Sequence, residues 1–179
     1  MPSRQRRLFL RAIGTAMSVG IGGCAGRSAG GTSDTAADDP LTLPSAVTTG
    51  DLPDGRVRLV EPETVTLLNF FTTWCRPCQR EMAEFRKLRA EYDADALHMV
   101  SITPEVDETL VEEFWAEYEG TWPVVMDPAL TATERWNANR YPTNLLFDAD
   151  GTPAGDDPEV RARTFEEFDT VIEPLVAEA

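Results

Sequence analysis

With 179 residues, 42% of them apolar, the chain can bury a real core and suits one domain with appendages rather than two domains. Its formal net charge is −15. Four of the 16 basic residues (Arg4, Arg6, Arg7, Arg11) precede residue 24, so the remainder of the chain carries 12 basic against 31 acidic groups, a net of −19. A surface that acidic repels phosphate backbones and argues against a nucleic-acid partner.

Residues 1–23 read as a signal peptide. Basic residues without acids lead into a mildly apolar stretch, 12–23. That stretch is too short and too glycine-rich to cross a bilayer, which takes about 18–20 apolar residues. Arg6-Arg7-Leu8-Phe9-Leu10-Arg11 resembles the twin-arginine export signature, with Gln5 departing from it just before the pair. The weak hydrophobicity after the arginine pair favours this route over the general secretory one. Ile21-Gly22-Gly23-Cys24 resembles a lipobox, in which the cysteine is lipidated and becomes the new N-terminus. Of three cysteines, one is left over once Cys75 and Cys78 are assigned, and a lipid thioether on Cys24 accounts for it. The plain alternative is an incidental cysteine. Residues 24–45 are rich in Gly, Ala, Ser, Thr and Asp and lack apolar periodicity, the composition of a disordered tether. As a flexible coil, about 20 residues reach on the order of 25 Å.

From residue 46 to 179 the pattern is that of a folded domain. Arg56–Val60 alternates as a short strand, and Val65–Phe71 is a continuous apolar run, as in a central buried strand. From Cys78 to Tyr92, apolar residues at Met82, Phe85 and Leu88 recur at helical spacing. Leu97–Ile102 reads as a second buried strand, 110–118 as an amphipathic helix and Pro123–Met126 as a short strand. A helix is expected over 129–137 and a strand over Asn144–Phe147. Asp148-Ala149-Asp150-Gly151 marks a hairpin turn, with an edge strand expected near Thr152–Ala154 and a closing helix over 165–177. Strands alternating with helices predict an α/β domain with a mainly parallel sheet, made mixed by the late hairpin.

Trp74-Cys75-Arg76-Pro77-Cys78 falls between a buried strand and a helix. A C-x-x-C pair in that setting reads as a dithiol redox motif. Just before the helix, the Cys75 sulfur meets unsatisfied backbone N–H groups and the positive end of the helix dipole, which favour the nucleophilic thiolate. Pro77 sits where a missing N–H costs nothing. Cys78 is the resolving thiol. A zinc half-site would need two further ligands, and the chain offers only Cys24 and His98. A purely structural disulfide across two residues closes too small a loop to stabilise much. His98 reads as a packed strand residue, and Phe71, Trp74 and Trp122-Pro123 as core and site rim.

Together with Tyr141-Pro142-Thr143 and the hairpin after it, this motif resembles thioredoxin-fold proteins of the TlpA/ResA type, over essentially the whole domain. The resemblance implies a membrane-tethered thiol–disulfide oxidoreductase acting outside the cytoplasm. It implies a Cys75–Cys78 disulfide, and a cis bond before Pro142 whose loop, with Thr143, offers substrate an extended edge. Asn69, six residues before Cys75, replaces the buried acid of thioredoxins, as is common in this group. Glu105 is then the nearest match to the glutamate that handles the resolving cysteine's proton, the alternative being a solvated loop acid. Arg76 is expected to face solvent.

The leading expectation is a reductase of protein disulfides, for apocytochrome c or another metalloprotein precursor. It would be fed by a membrane thiol donor, work as a monomer, and carry no cofactor or metal. A disulfide-forming oxidant with the same site is the alternative, although the spacing between Cys78 and Pro142 has no room for the large helical insertion of DsbA-type oxidants. A copper-delivery protein of the Sco type would carry C-x-x-x-C and a distant histidine. A peroxiredoxin would carry proline where Leu68 stands, before Thr72-Thr73-Trp74-Cys75. The lysine-poor acidic composition, with Lys87 the only lysine, resembles that of proteins from extreme halophiles.

The address makes a prediction. Two lipid chains anchor a protein stably, so Cys24→Ser should shift it from the membrane fraction to the soluble or secreted fraction. A variant that stays membrane-bound through alkaline washing contradicts the lipobox reading.

Overall fold

The computed structural model describes residues 40–47 and 55–179; the expectations for Arg6, Arg7 and Cys24 lie outside the described residues. Among these residues the order is β1 (Thr42–Pro44), β2 (Arg56–Arg58), β3 (Val65–Phe70), α1 (Arg76–Glu91), β4 (Leu97–Thr103), α2 (Glu108–Glu117), β5 (Val124–Met126), α3 (Thr131–Arg135), β6 (Thr143–Phe147), β7 (Glu159–Val160) and α4 (Phe165–Glu178). β5-β4-β3-β6-β7 form one sheet, and β1 pairs antiparallel with β2 apart from it. β3, β4 and β5 run parallel, while β6 runs antiparallel to β3 and β7 to β6. This is the mixed α/β arrangement of the thioredoxin fold.

β3 is buried at all six positions, which is why its sequence shows no alternation. Its side chains still point to opposite faces by turns. Val65, Leu67 and Phe71 join the core under α1, α2 and α4, with Met82, Phe85, Leu88, Trp115 and Phe168. Leu68 and Phe70 join the opposite core, with Leu43, Val57 and Leu59 from the β1–β2 side and Ala132 from α3. Asn69 therefore belongs to the α1 side. In register with it stand Ser101 on β4 and Asn144 on β6, so three polar residues cross the middle of the sheet in one row.

The α1-side core is aromatic. Phe71, Phe114, Trp115, Trp122, Phe85 and Phe168 form a chain of contacts with ring centroids 5.1–5.9 Å apart. Gly120 makes room for it, because a Cβ there would lie 2.3 Å from the Trp115 ring. His98 packs within β4, its Nε2 2.9 Å from the Arg58 carbonyl; burial pulls its pKa below the usual value.

Three boundaries differ from expectation. β1 lies inside the stretch read as tether, with Leu43 and Ala46 buried, so the folded domain starts ahead of residue 46. α1 starts two residues ahead of Cys78, because Cys75 rather than a later residue caps it. The chain turns at Asp148, whose carboxylate accepts from the N–H groups of Asp150 and Thr152, with Gly151 at φ 75°. Thr152–Ala154, however, holds only a bridge from Pro153 to Phe147, and the edge strand is Glu159–Val160. A turn signal locates the reversal but not the point where ladder pairing resumes.

Candidate redox site

Cys75 and Cys78 are joined by a disulfide, with Cα atoms 5.3 Å apart. Cys75 caps α1, its sulfur accepting from the Cys78 N–H at 3.3 Å. Pro77 occupies the first turn, where no acceptor awaits its missing donor. Both cysteines are buried, while Trp74, 71% exposed, stands out beside them and Arg76 and Pro77 face solvent. The loop entering the motif is tied on two sides. Glu105 Oε1 accepts from the Thr73 N–H at 3.0 Å and from its hydroxyl at 2.8 Å, and Gln79 donates to the Thr73 carbonyl at 2.8 Å.

The Tyr141–Pro142 peptide bond is cis. Thr143 pairs with Phe70, so this loop lies at the end of β3 from which the redox motif emerges. The Thr143 hydroxyl donates to the Arg140 carbonyl at 2.9 Å. Asn69, Pro142, Thr143 and the cysteines thus converge on one end of the sheet. Glu105 reaches the same end but is committed to Thr73. Among the described residues, no group of three or more His, Cys, Asp or Glu side chains is arranged as metal ligands.

A second acid lies behind the cysteines. Glu81 comes three positions after Cys78 on α1, the spacing that sets side chains on one helix face, about 5–6 Å apart at Cβ. Its side chain is 3% exposed. Asn144 donates to Oε2 at 3.4 Å and is itself the acceptor of an Asn69 N–H at 2.8 Å. Arg163 Nη1 lies 3.3 Å from Oε1, yet that oxygen has no hydrogen-bond donor, so the guanidinium acts on it as a charge. Burial pushes the Glu81 carboxyl up to about 7, against opposing pulls from Arg163, the Asn144 amide and Arg80.

A Redoxin domain matches residues 36–172. The chain belongs to the Redoxin family. Its fold is the thioredoxin fold. The chain is 38% identical over 88 residues to the thioredoxin-like protein YneN of Bacillus subtilis (48% of this chain, 51% of that protein). It is 30% identical over 84 residues to the thiol-disulfide oxidoreductase ResA of Bacillus cereus (47% and 49%). It therefore spans about half the length of these curated relatives. Among solved structures it resembles a secreted Mycobacterium tuberculosis disulfide oxidoreductase homologous to E. coli DsbE, at TM-score 0.61 and 20% identity (76% of this chain, 96% of that one). StoA from Bacillus subtilis gives TM-score 0.59 at 20% identity (74% and 97%). At these identities the likeness establishes the fold.

Sequence reasoning passed over Glu81 in this Redoxin-family domain. The available signal was periodicity: the buried face of α1 runs Cys78, Glu81, Met82, Phe85, Leu88, which places an acid inside an apolar stripe.

The raised Glu81 value fixes the sign of a pH effect. An unfolded glutamate releases its proton near 4.5 and the folded one near 7. Between those values the folded protein holds a proton the unfolded chain has lost, so this group's contribution to stability falls as pH rises through the window. Glu81→Gln, which cannot ionise, should gain on the parent by about 3 kcal/mol between pH 4 and pH 8. Denaturant unfolding at both values measures it, and an unchanged difference contradicts the buried-acid reading.

Proposed function

We propose that the protein is an extracytoplasmic thiol–disulfide oxidoreductase that reduces protein disulfides, held at the membrane through lipidated Cys24. The observation that carries the reading is the Cys75–Cys78 disulfide at the cap of α1, with a buried carboxyl on the same helix face. In the reduced form, the Cys75 thiolate attacks a substrate disulfide, and one substrate sulfur leaves as a thiolate. Cys78 then passes its proton to the Glu81 carboxylate and, as thiolate, attacks the Cys75 sulfur of the mixed disulfide. That bond breaks, its electron pair departs on the second substrate sulfur, and Cys75–Cys78 forms. The dithiol loses two electrons, and the substrate gains them. A membrane thiol donor returns the pair to its reduced state.

In this reading Glu81 takes the proton-handling role first expected of Glu105, whose carboxylate instead braces the loop before Trp74 through Thr73. The reducing direction is supported by the connection from Cys78 to Pro142, which carries α1, β4, α2, β5 and α3 and no inserted helical subdomain. Relatives named thiol-disulfide oxidoreductase support dithiol chemistry; apocytochrome or another metalloprotein precursor outside the cytoplasm is the substrate we propose. The net charge of −19 after residue 23 supports work in a salt-rich medium.

The nucleophile assignment is tested on the reduced protein. A helix N-terminus contributes about 0.3–1 kcal/mol, and up to about 2 in a favourable partly buried site, or at most about 1.5 pH units. Alkylation rate against pH should give a midpoint for Cys75 between about 7 and 8, against about 8.5 for a free thiol. Cys78→Ser, offered a disulfide substrate, should accumulate a mixed disulfide through Cys75. A midpoint below about 5 would favour the oxidant, and trapping through residue 78 in the converse Cys75→Ser variant alone would reverse the mechanism.

A further inference from the structure

A continuous polar path runs through the α1-side core. The Trp122 indole donates to the Ser101 hydroxyl at 2.9 Å, Ser101 to the Asn69 carbonyl oxygen at 3.3 Å, and Asn69 to Asn144 at 2.8 Å. Asn144 in turn donates to Glu81 at 3.4 Å. Ser101, Asn69 and Asn144 stand in register across β4, β3 and β6, and all are buried. Every link offers Glu81 a neutral amide or hydroxyl and nothing that neutralises a charge. The path ends at the surface on Arg163, in the loop between β7 and α4, whose side chain is 46% exposed while that of Glu81 is 3% exposed.

Arg163 is fixed where it can act. Its Nη1 donates to the Ala162 carbonyl at 2.7 Å. Its backbone N–H donates to Glu167 Oε2 at 2.7 Å, beside the capping box that starts α4. The other charged or titratable groups around Glu81 are few. Cys78 and Arg80 share its helix, and Arg80 is exposed. From the sheet face come only Asn144 and Asn69, both uncharged. The neighbouring acids are engaged elsewhere: Glu84 by Lys87 and the Phe165 N–H, Glu167 by the backbone N–H groups of Arg163 and Thr164.

We propose that Arg163 is a positioning residue for the redox reaction: its guanidinium keeps the Glu81 carboxylate charged behind Cys78, so that the Cys78 proton has an acceptor when the mixed disulfide resolves. This rests on the reading that Glu81 takes that proton. An isolated carboxylate in the core would neutralise itself by holding its proton. A protonated Glu81 cannot accept another, and resolution would wait for the carboxyl to empty. Arg163 opposes this from a loop distant in sequence, leaving Glu81 charged in a useful fraction of molecules near neutrality. The two-electron exchange is the one given above; Arg163 alters only the proton step, Cys78–SH + Glu81–COO⁻ → Cys78–S⁻ + Glu81–COOH.

The test uses reduced full-length protein with oxidised glutathione, at concentrations that saturate the first attack. Loss of the Cys75–glutathione mixed disulfide is followed from pH 5 to 9 by acid quench and mass. An opposite charge within about 4–6 Å is worth one to three pH units when well placed. Arg163→Gln should therefore move the resolution limb up by about one unit and slow resolution at pH 6 about tenfold. Arg163→Lys should restore most of the limb and the rate. Glu81→Gln should lose the limb near neutrality and keep only the rise at higher pH from the Cys78 thiol's own ionisation, and adding Arg163→Gln to it should change nothing further. An Arg163→Gln profile superimposed on the parent overturns the inference while leaving Glu81 in place. So does a slowing that persists equally in the Glu81→Gln background. A limb that stays near neutrality in Glu81→Gln overturns the Glu81 reading and this inference with it.

Discussion

The first backbone N–H groups of any α-helix lack partners within the helix, and something outside must accept from them. In α1 that acceptor is the sulfur of Cys75, which takes the Cys78 N–H. The constraint places the two cysteines one turn apart with their sulfurs together, at the positive end of the helix dipole. The rest of the fold serves this placement. β3 is buried on both faces and delivers the loop at a fixed height, Glu105 and Gln79 hold Thr73 from either side, and the antiparallel β6 brings Pro142 to the same end. The sulfur is thus a structural cap in the disulfide state and, in the mechanism we propose, the nucleophile in the reduced one.

A second constraint works behind the first. Burying a carboxylate is costly unless charge and hydrogen bonds compensate, and Glu81 is compensated only in part. Its two oxygens meet one long amide bond and one off-line guanidinium, so the carboxyl sits near neutrality instead of well below it. A group that holds and releases a proton near pH 7 is useful beside a thiol that must lose one. The incomplete pairing is a loss for stability and, in the proposed mechanism, a condition for the chemistry.

The parts legible in the sequence are those governed by short spacings. WCRPC between an apolar run and a helical stripe places the site, and the alternation of strands and helices places the sheet. What escapes depends on contacts between distant positions. Glu81 reads as an ordinary helix acid until Asn144 and Arg163, 63 and 82 positions further on, are seen to enclose it. β1 is three residues ending in Pro44, too short for a periodicity, and only its pairing with β2 gives it order. Glu105 reaches the site end as its position in the chain suggests, but nothing local says that its acceptor capacity goes to Thr73.

In the mechanism we propose, Cys75–Cys78 is a reducing couple, its thiolate stabilised by little more than a helix terminus. A strongly stabilised thiolate makes an oxidant, as the reduced form is then favoured. The most direct measurement is the equilibrium reduction potential of the full-length protein against glutathione or dithiothreitol redox buffers at pH 7. A reducing couple should give a value below about −200 mV, toward the thioredoxin end of the scale. A potential near about −120 mV, that of the strong oxidant DsbA, would contradict it.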